Sequence, residues 1–182
     1  DFAFLRDYKS LTGNKIKTKN VNHLFLDYTS DLKIPNYLES RFDAQFEKVT
    51  NDTYLKVFQN NLFDTPVMPG SQTTMNSNLK LYLEKENQNL TTGVVVYENL
   101  GTRHSDRYQY TLPYYDFSKN LTSLIEDNSI NGSLNFYSTG TNKLSNTNNL
   151  RTTVANDLNY SSQRYISKLG FENNFNLYLK NS

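Results

Sequence analysis

Cysteine is absent from the 182 residues, so no disulfide staples the fold and no thiolate cluster holds a metal. Histidine occurs only at His23, in a strand-like run, and at His104, in a turn. Neither stands at an HxH or HExxH spacing that would aim two imidazoles at one ion, and both read as surface or turn histidines. The seven glycines are dispersed. No P-loop, GxGxxG or GxSxG elbow occurs, which leaves phosphate cradling and nucleophile-elbow hydrolysis without a candidate. Charge is modest, at 20% of residues with a formal net charge of +1, and the lysines lie singly, so there is no electrostatic footprint for nucleic acid. No run of about 18 apolar residues exists to make a transmembrane helix. Asp1-Phe2-Ala3-Phe4 has neither the basic nor the apolar region of a signal peptide, and with no initiator Met the chain reads as processed or as a segment of a longer one.

What is present is aromatic and polar. Hydrophobic residues make up 36%, below the roughly 45–50% of ordinary globular chains, while aromatics reach 14% with 14 Tyr. The extra polarity comes from Asn, Ser and Thr, so the low-hydrophobicity, high-charge signature of disorder is missing. The length suits one domain, and no boundary or internal repeat divides residues 1–182.

Apolar residues recur with period 2, which predicts strands rather than helices. In the C-terminal run Leu169, Phe171, Phe175, Leu177 and Leu179 fall on one face and Glu172, Asn174, Asn176 and Lys180 on the other. Residues 147–161 set Leu150, Val154, Leu158 and Tyr160 against Arg151, Thr153, Asp157 and Asn159, with Asn156 interrupting the apolar face. Residues 39–50 alternate likewise, and Leu24, Leu26 and Tyr28 mark a strand before them, Leu79, Leu81 and Leu83 one after. Val94, Val95 and Val96 are consecutive, which allows burial on both faces or a local bulge. Residues 107–118 predict Tyr108, Tyr110, Leu112 and Tyr114 on one face, with Pro113 marking an edge, bulge or strand start. With a weak strand near 2–8 and another at 131–142, about nine strands are expected, several longer than the usual 5–6 residues and long enough for a tilted membrane crossing of about 9–11.

Glu86-Asn87-Gln88-Asn89 predicts a tight hairpin and residues 51–76, with Pro66, Pro69 and Gly70, a long loop. Membrane barrels keep long loops outside the cell, so up-and-down order then places 101–106 and 143–147 outside and 32–38, 87–88, 121–130 and 162–167 inside. The Asn-x-Ser/Thr triplets at Asn51, Asn89, Asn120, Asn131 and Asn159 are taken as chance in so Asn-rich a chain. Tyr108, Tyr110, Tyr114 and Tyr115 suit a core cluster, a carbohydrate-stacking strip or an interfacial aromatic girdle. Carboxylates are plentiful, but no two can be paired by spacing. No catalytic, cofactor-binding or metal residue is assigned, and an enzyme is not expected.

Two stretches resemble a known family. Arg41-Phe42-Asp43-Ala44-Gln45-Phe46-Glu47-Lys48-Val49-Thr50-Asn51-Asp52-Thr53-Tyr54-Leu55 is similar to the strand and Val-Ser-Asp-Asp-x-Tyr-like element of the LptD lipopolysaccharide-assembly (organic solvent tolerance) family, with Thr50 and Asn51 as variations. Tyr108-Gln109-Tyr110-Thr111-Leu112-Pro113-Tyr114-Tyr115-Asp116-Phe117 is similar to its Tyr-x-x-Leu-Pro segment. The resemblance covers roughly residues 20–180 and implies an all-β, antiparallel up-and-down transmembrane barrel segment in a Gram-negative outer membrane. It further implies lipopolysaccharide as cargo, an LptE-like lipoprotein plug, a periplasmic LptA-like bridge and surrounding outer-membrane lipid as partners, and no catalysis. The terminal Leu179-Lys180-Asn181-Ser182 lacks the closing aromatic of complete barrels, so the family's gate strands are expected outside this chain and no gate residue is carried over. A soluble β-sandwich or adhesin module binding carbohydrate, and another barrel such as a porin or TonB-type receptor, are the competing readings.

Overall fold

The structure, a computed structural model, describes residues 2–3, 8–11, 13, 15–16, 21–62, 67–102, 107–126, 131–146 and 148–182. The expected strand near 2–8 lies partly outside these residues, as do His104 and Pro66. Two-residue pieces β1 (Phe2–Ala3), β2 (Tyr8–Lys9) and β3 (Lys15–Ile16) precede the main strands. Those are β4 (Val21–Asp31), β5 (Glu39–Val49), β6 (Thr74–Lys85), β7 (Gln88–Asn99), β8 (Tyr108–Asn120), β9 (Gly132–Ser145) and β10 (Asn149–Ser162). After a two-residue hairpin, β11 (Tyr165–Ile166) with β12 (Glu172–Asn173), the last strand is β13 (Asn176–Asn181). Single helical turns α1 (Tyr54–Val57), α2 (Gln59–Leu62) and α3 (Ser123–Glu126) sit in the connections.

The chain is all-β, and its main sheet is an antiparallel meander in the order β1-β4-β5-β6-β7-β8-β9-β10-β13. Each long strand pairs with the next along the chain, which period-2 sequence and short connections dictate. Among the described residues the sheet is open: the two-residue β1, paired to Val21 and Asn22 of β4, stands at one margin and β13 at the other, and no pairing joins the two margins. Among the described residues no helix is long and apolar enough to cross a membrane, which says nothing about strands.

The turns follow the chemistry of their residues. Lys85 pairs with Gln88 around the two-residue Glu86-Asn87 turn. Asn149 pairs with Ser145 around a turn in which Asn146 takes φ 52°, a left-handed conformation that asparagine tolerates. Three expectations are corrected. The strand at 131–142 continues to Ser145, so the predicted loop at 143–147 shrinks to 146–148. The C-terminal strand does not start near Leu169: the β11–β12 hairpin draws Glu172 and Asn173 away, and the long-range ladder with β10 begins at Asn176. The connection predicted at 162–167 accordingly runs over 163–175.

The third correction is a change of face. Between Thr111 and Tyr114 strand β8 holds one residue more than its neighbours, since β7 passes from Gly93 to Val95 and β9 from Thr141 to Lys143 over the same stretch. This bulge at Leu112-Pro113 reverses the alternation beyond it. Tyr108 and Tyr110 therefore share a face with Tyr115, and Tyr114, predicted beside them, is on the other side.

Candidate functional surfaces

Because paired residues in an antiparallel ladder share a face, the register sorts the side chains of the sheet. One face carries Leu24, Leu26 and Tyr28 of β4 opposite Lys48, Phe46 and Ala44 of β5, then Leu79, Leu81 and Leu83 of β6 opposite Val94, Thr92 and Leu90 of β7. It continues through Tyr110, Tyr115 and Phe117 of β8 and Leu134, Phe136 and Leu144 of β9. Leu150, Val154, Leu158 and Tyr160 of β10 and Leu177 and Leu179 of β13 complete it. The face is predominantly apolar across the seven long strands and β13, although Ser40, Ser77, Lys119, Ser138, Asn142, Thr152 and Asn156 also lie on it. Nothing among the described residues folds over it: Leu24 is 61% exposed, Leu150 63% and Leu177 54%.

The opposite face is wet. It presents Asp27, Asp43, Gln45, Asn78, Lys80, Thr91, Asp116, Thr139, Lys143, Arg151, Asp157 and Lys180, together with Tyr82, Tyr97, Tyr114, Tyr137 and Tyr178. Arg41 lies between Glu39 and Asp43 at 3.3 and 3.2 Å and over the Tyr82 ring at 5.7 Å. Thr141 and Thr153 share a hydrogen bond of 2.6 Å across β9 and β10. Gly93 is required here by close approach: a Cβ would stand 2.3 Å from the Leu79 carbonyl and 2.9 Å from the Tyr114 hydroxyl. On the apolar face Tyr115 lies over Gly140 in the same way, with a Cβ placed 2.1 Å from its ring.

The third region is the end of the sheet that carries the long loop. The β5–β6 ladder stops at Gln45 and Asn78, and beyond it the Glu47 carboxylate accepts the Asn76 N–H at 2.7 Å. Residues of α1 and α2 pack against these strand ends, making a cluster of Val49, Tyr54, Leu55, Leu62, Met75 and Leu100. His23 is half-buried rather than a free surface residue. Its ring stacks on Phe25 at 4.4 Å, and its Nδ1 is hydrogen-bonded to the Tyr54 hydroxyl at 2.9 Å. Burial pushes the Tyr54 phenol above its ordinary value. Asn51, the first of the Asn-x-Ser/Thr positions, is 3% exposed, whereas Asn89, Asn120 and Asn131 are exposed and Asn159 is half-buried.

Beside this cluster, on the apolar face, is an ionic group that sequence reasoning missed. Glu98 is 4% exposed and meets Lys48 Nζ at 2.7 Å, Arg107 at 2.7 Å and the Tyr108 hydroxyl at 2.9 Å. The predicted tyrosine cluster is thus divided: Tyr108 and Tyr110 stack at 6.2 Å near this group, Tyr115 bonds Ser138 at 3.1 Å in mid-sheet, and Tyr114 faces the polar side. Only pairing could reveal the Glu98 group, because its members are 50 and 9 residues apart and none stands in a recognisable motif. Compared with family models, curated proteins and solved structures, the chain matches none.

Proposed function

We propose that the chain is a stretch of wall from an antiparallel transmembrane β-barrel in a cell outer membrane, and that this barrel inserts lipopolysaccharide into the outer leaflet. The observation that carries the reading is the uncovered apolar face running across every long strand, backed on each by a polar one. In water an apolar patch of more than a few hundred Å² drives association. In lipid it needs no cover, while each backbone polar group still needs a partner, as the ladders between β4 and β13 supply. The outer flank of β13, and that of β4 beyond its pairing with β1 at Val21 and Asn22, are where further strands of the wall would pair. Seven of the strands have 11 to 14 residues, ample for a crossing.

The cargo rests on the resemblance of Arg41–Leu55 and Tyr108–Phe117 to the LptD family, and the polar face is compatible with it. Tyrosine, asparagine and threonine among alternating charges suit hydrated sugar and phosphate groups. An LptE-like lipoprotein and an LptA-like bridge are the partners this reading brings. In the test, the chain with its native flanks is followed into membrane fractions, and the parent protein is depleted. Recovery with outer membranes and failure of newly made lipopolysaccharide to reach the surface, with small-solute uptake intact, is the expected result. A soluble product that binds sugar would favour the adhesin reading. Normal lipopolysaccharide export with lost solute uptake would favour a porin.

A further inference from the structure

We propose that Lys48 and Arg107 form a docking site for the phosphate of an anionic membrane lipid, at the edge of the apolar face beside the long loop. The inference rests on the reading that this face meets lipid. Register places Lys48 opposite Leu24 and Glu98 opposite Tyr108, so these side chains emerge on the apolar side, close to the strand ends. Arg107 immediately precedes β8 and joins them through Glu98. That is the level at which a membrane gives way to headgroups, where tyrosines and cations are the side chains a bilayer favours. Tyr108 and Tyr110 are stacked there, and Lys48 Nζ stands 5.2 Å from the Tyr108 ring.

The charges do not cancel. Among the described residues one buried carboxylate faces two cations, so a positive charge is left over there. Among the described residues Lys48 spends two of its three donors, on Glu98 and Tyr108, and Arg107 binds Glu98 through Nε and one terminal nitrogen and also bonds Tyr108, which leaves N–H groups on both for an incoming oxyanion. The Lys48 side chain is 54% exposed and that of Arg107 27%. Glu98 acts as the positioning residue that holds the two cations side by side, and Val96 and Tyr110, the next pair toward mid-sheet, offer the surface for an acyl chain.

The test uses the chain with its native flanks, folded into phosphatidylcholine vesicles containing phosphatidylglycerol, with insertion checked first by resistance to carbonate extraction. Lipid retained after gentle detergent release is then counted by native mass spectrometry. Preferential retention of phosphatidylglycerol is expected, falling about five-fold in Lys48→Gln and again in Lys48→Gln/Arg107→Gln, the size of one surface charge's attraction for an anionic leaflet. Lys80→Gln, on the polar face, should leave it unchanged. Failure to insert into any vesicle overturns the membrane reading itself. Insertion without preference, an equal loss in Lys80→Gln, or displacement by inorganic phosphate alone overturns the lipid site and leaves the wall standing.

Discussion

The same residue types meet opposite fates in two parts of this molecule. Around the long loop Val49, Tyr54, Leu55, Leu62, Met75 and Leu100 are at most 4% exposed, whereas on the apolar face Leu24, Leu26, Leu150, Val154, Leu177 and Leu179 are 45–63% exposed. The loop cluster is what water builds: helical turns fold back onto the strand ends and exclude solvent. Among the described residues nothing folds back over the face, and on the wall reading an apolar medium stands in for that cover. On the proposed reading the loop end belongs to an aqueous compartment and the wall to lipid.

The largest effect should come from breaking the aqueous side. Leu62 is 1% exposed within the cluster, and Leu62→Ala should cost about 2–5 kcal/mol of local stability. Hydrogen exchange of the chain in lipid should show residues 51–62 opening while β8, β9 and β10 keep their protection. If those strands lose protection as well, the two regions form one cooperative unit and the contrast drawn above fails.

Next in size is a charge placed on the wall. Leu81 lies inside β6 on the apolar face, opposite Phe42 and Thr92, while Lys80 beside it is on the polar face. Leu81→Lys should lower folding stability in vesicles by about 2–4 kcal/mol, measured as a shift in the urea midpoint, because on the wall reading a lysine there must enter hydrocarbon. Lys80→Leu removes a charge from the wet side and should cost far less. Equal, small effects would mean that both faces are wet.

How much of this was legible in the sequence depends on the range of the interaction. Strand positions and the two faces follow from alternation, which is local, so Leu150, Val154 and Leu158 were assignable before any pairing was known. Tyr114 was misplaced because Pro113 marks an irregularity without saying how many residues it absorbs, and one extra residue inverts every side chain beyond it. The strand expected from Leu169 shortened to begin at Asn176 because the Tyr165–Asn173 pairing competes for the same residues, and alternation is indifferent to which partner a strand takes. The Glu98 group was invisible for a stronger reason: its cations arrive from a different strand and from a loop end, and only register unites them.

The smallest effect is also the sharpest comparison of the two faces, because it sets similar hydrogen bonds in two media. On the apolar face the Ser138 hydroxyl, in a residue 8% exposed, lies 3.1 Å from the Tyr115 hydroxyl and donates to Asn156 Oδ1 at 2.8 Å. On the polar face the exposed Thr141 and Thr153 hydroxyls bond each other at 2.6 Å. Removing the second pair leaves groups that water can satisfy, so Thr153→Ala should change stability in vesicles by less than about 0.5 kcal/mol. Removing the first leaves the Tyr115 hydroxyl and Asn156 Oδ1 without that partner on a face that, on the wall reading, no water reaches. Ser138→Ala should therefore cost about 1 kcal/mol, within the range found for hydrogen bonds inside membranes. Urea midpoints of the two variants in vesicles decide the matter. A clear gap between them means that one face is dry, and equal values would return the apolar face to water and remove the physical basis for a barrel wall.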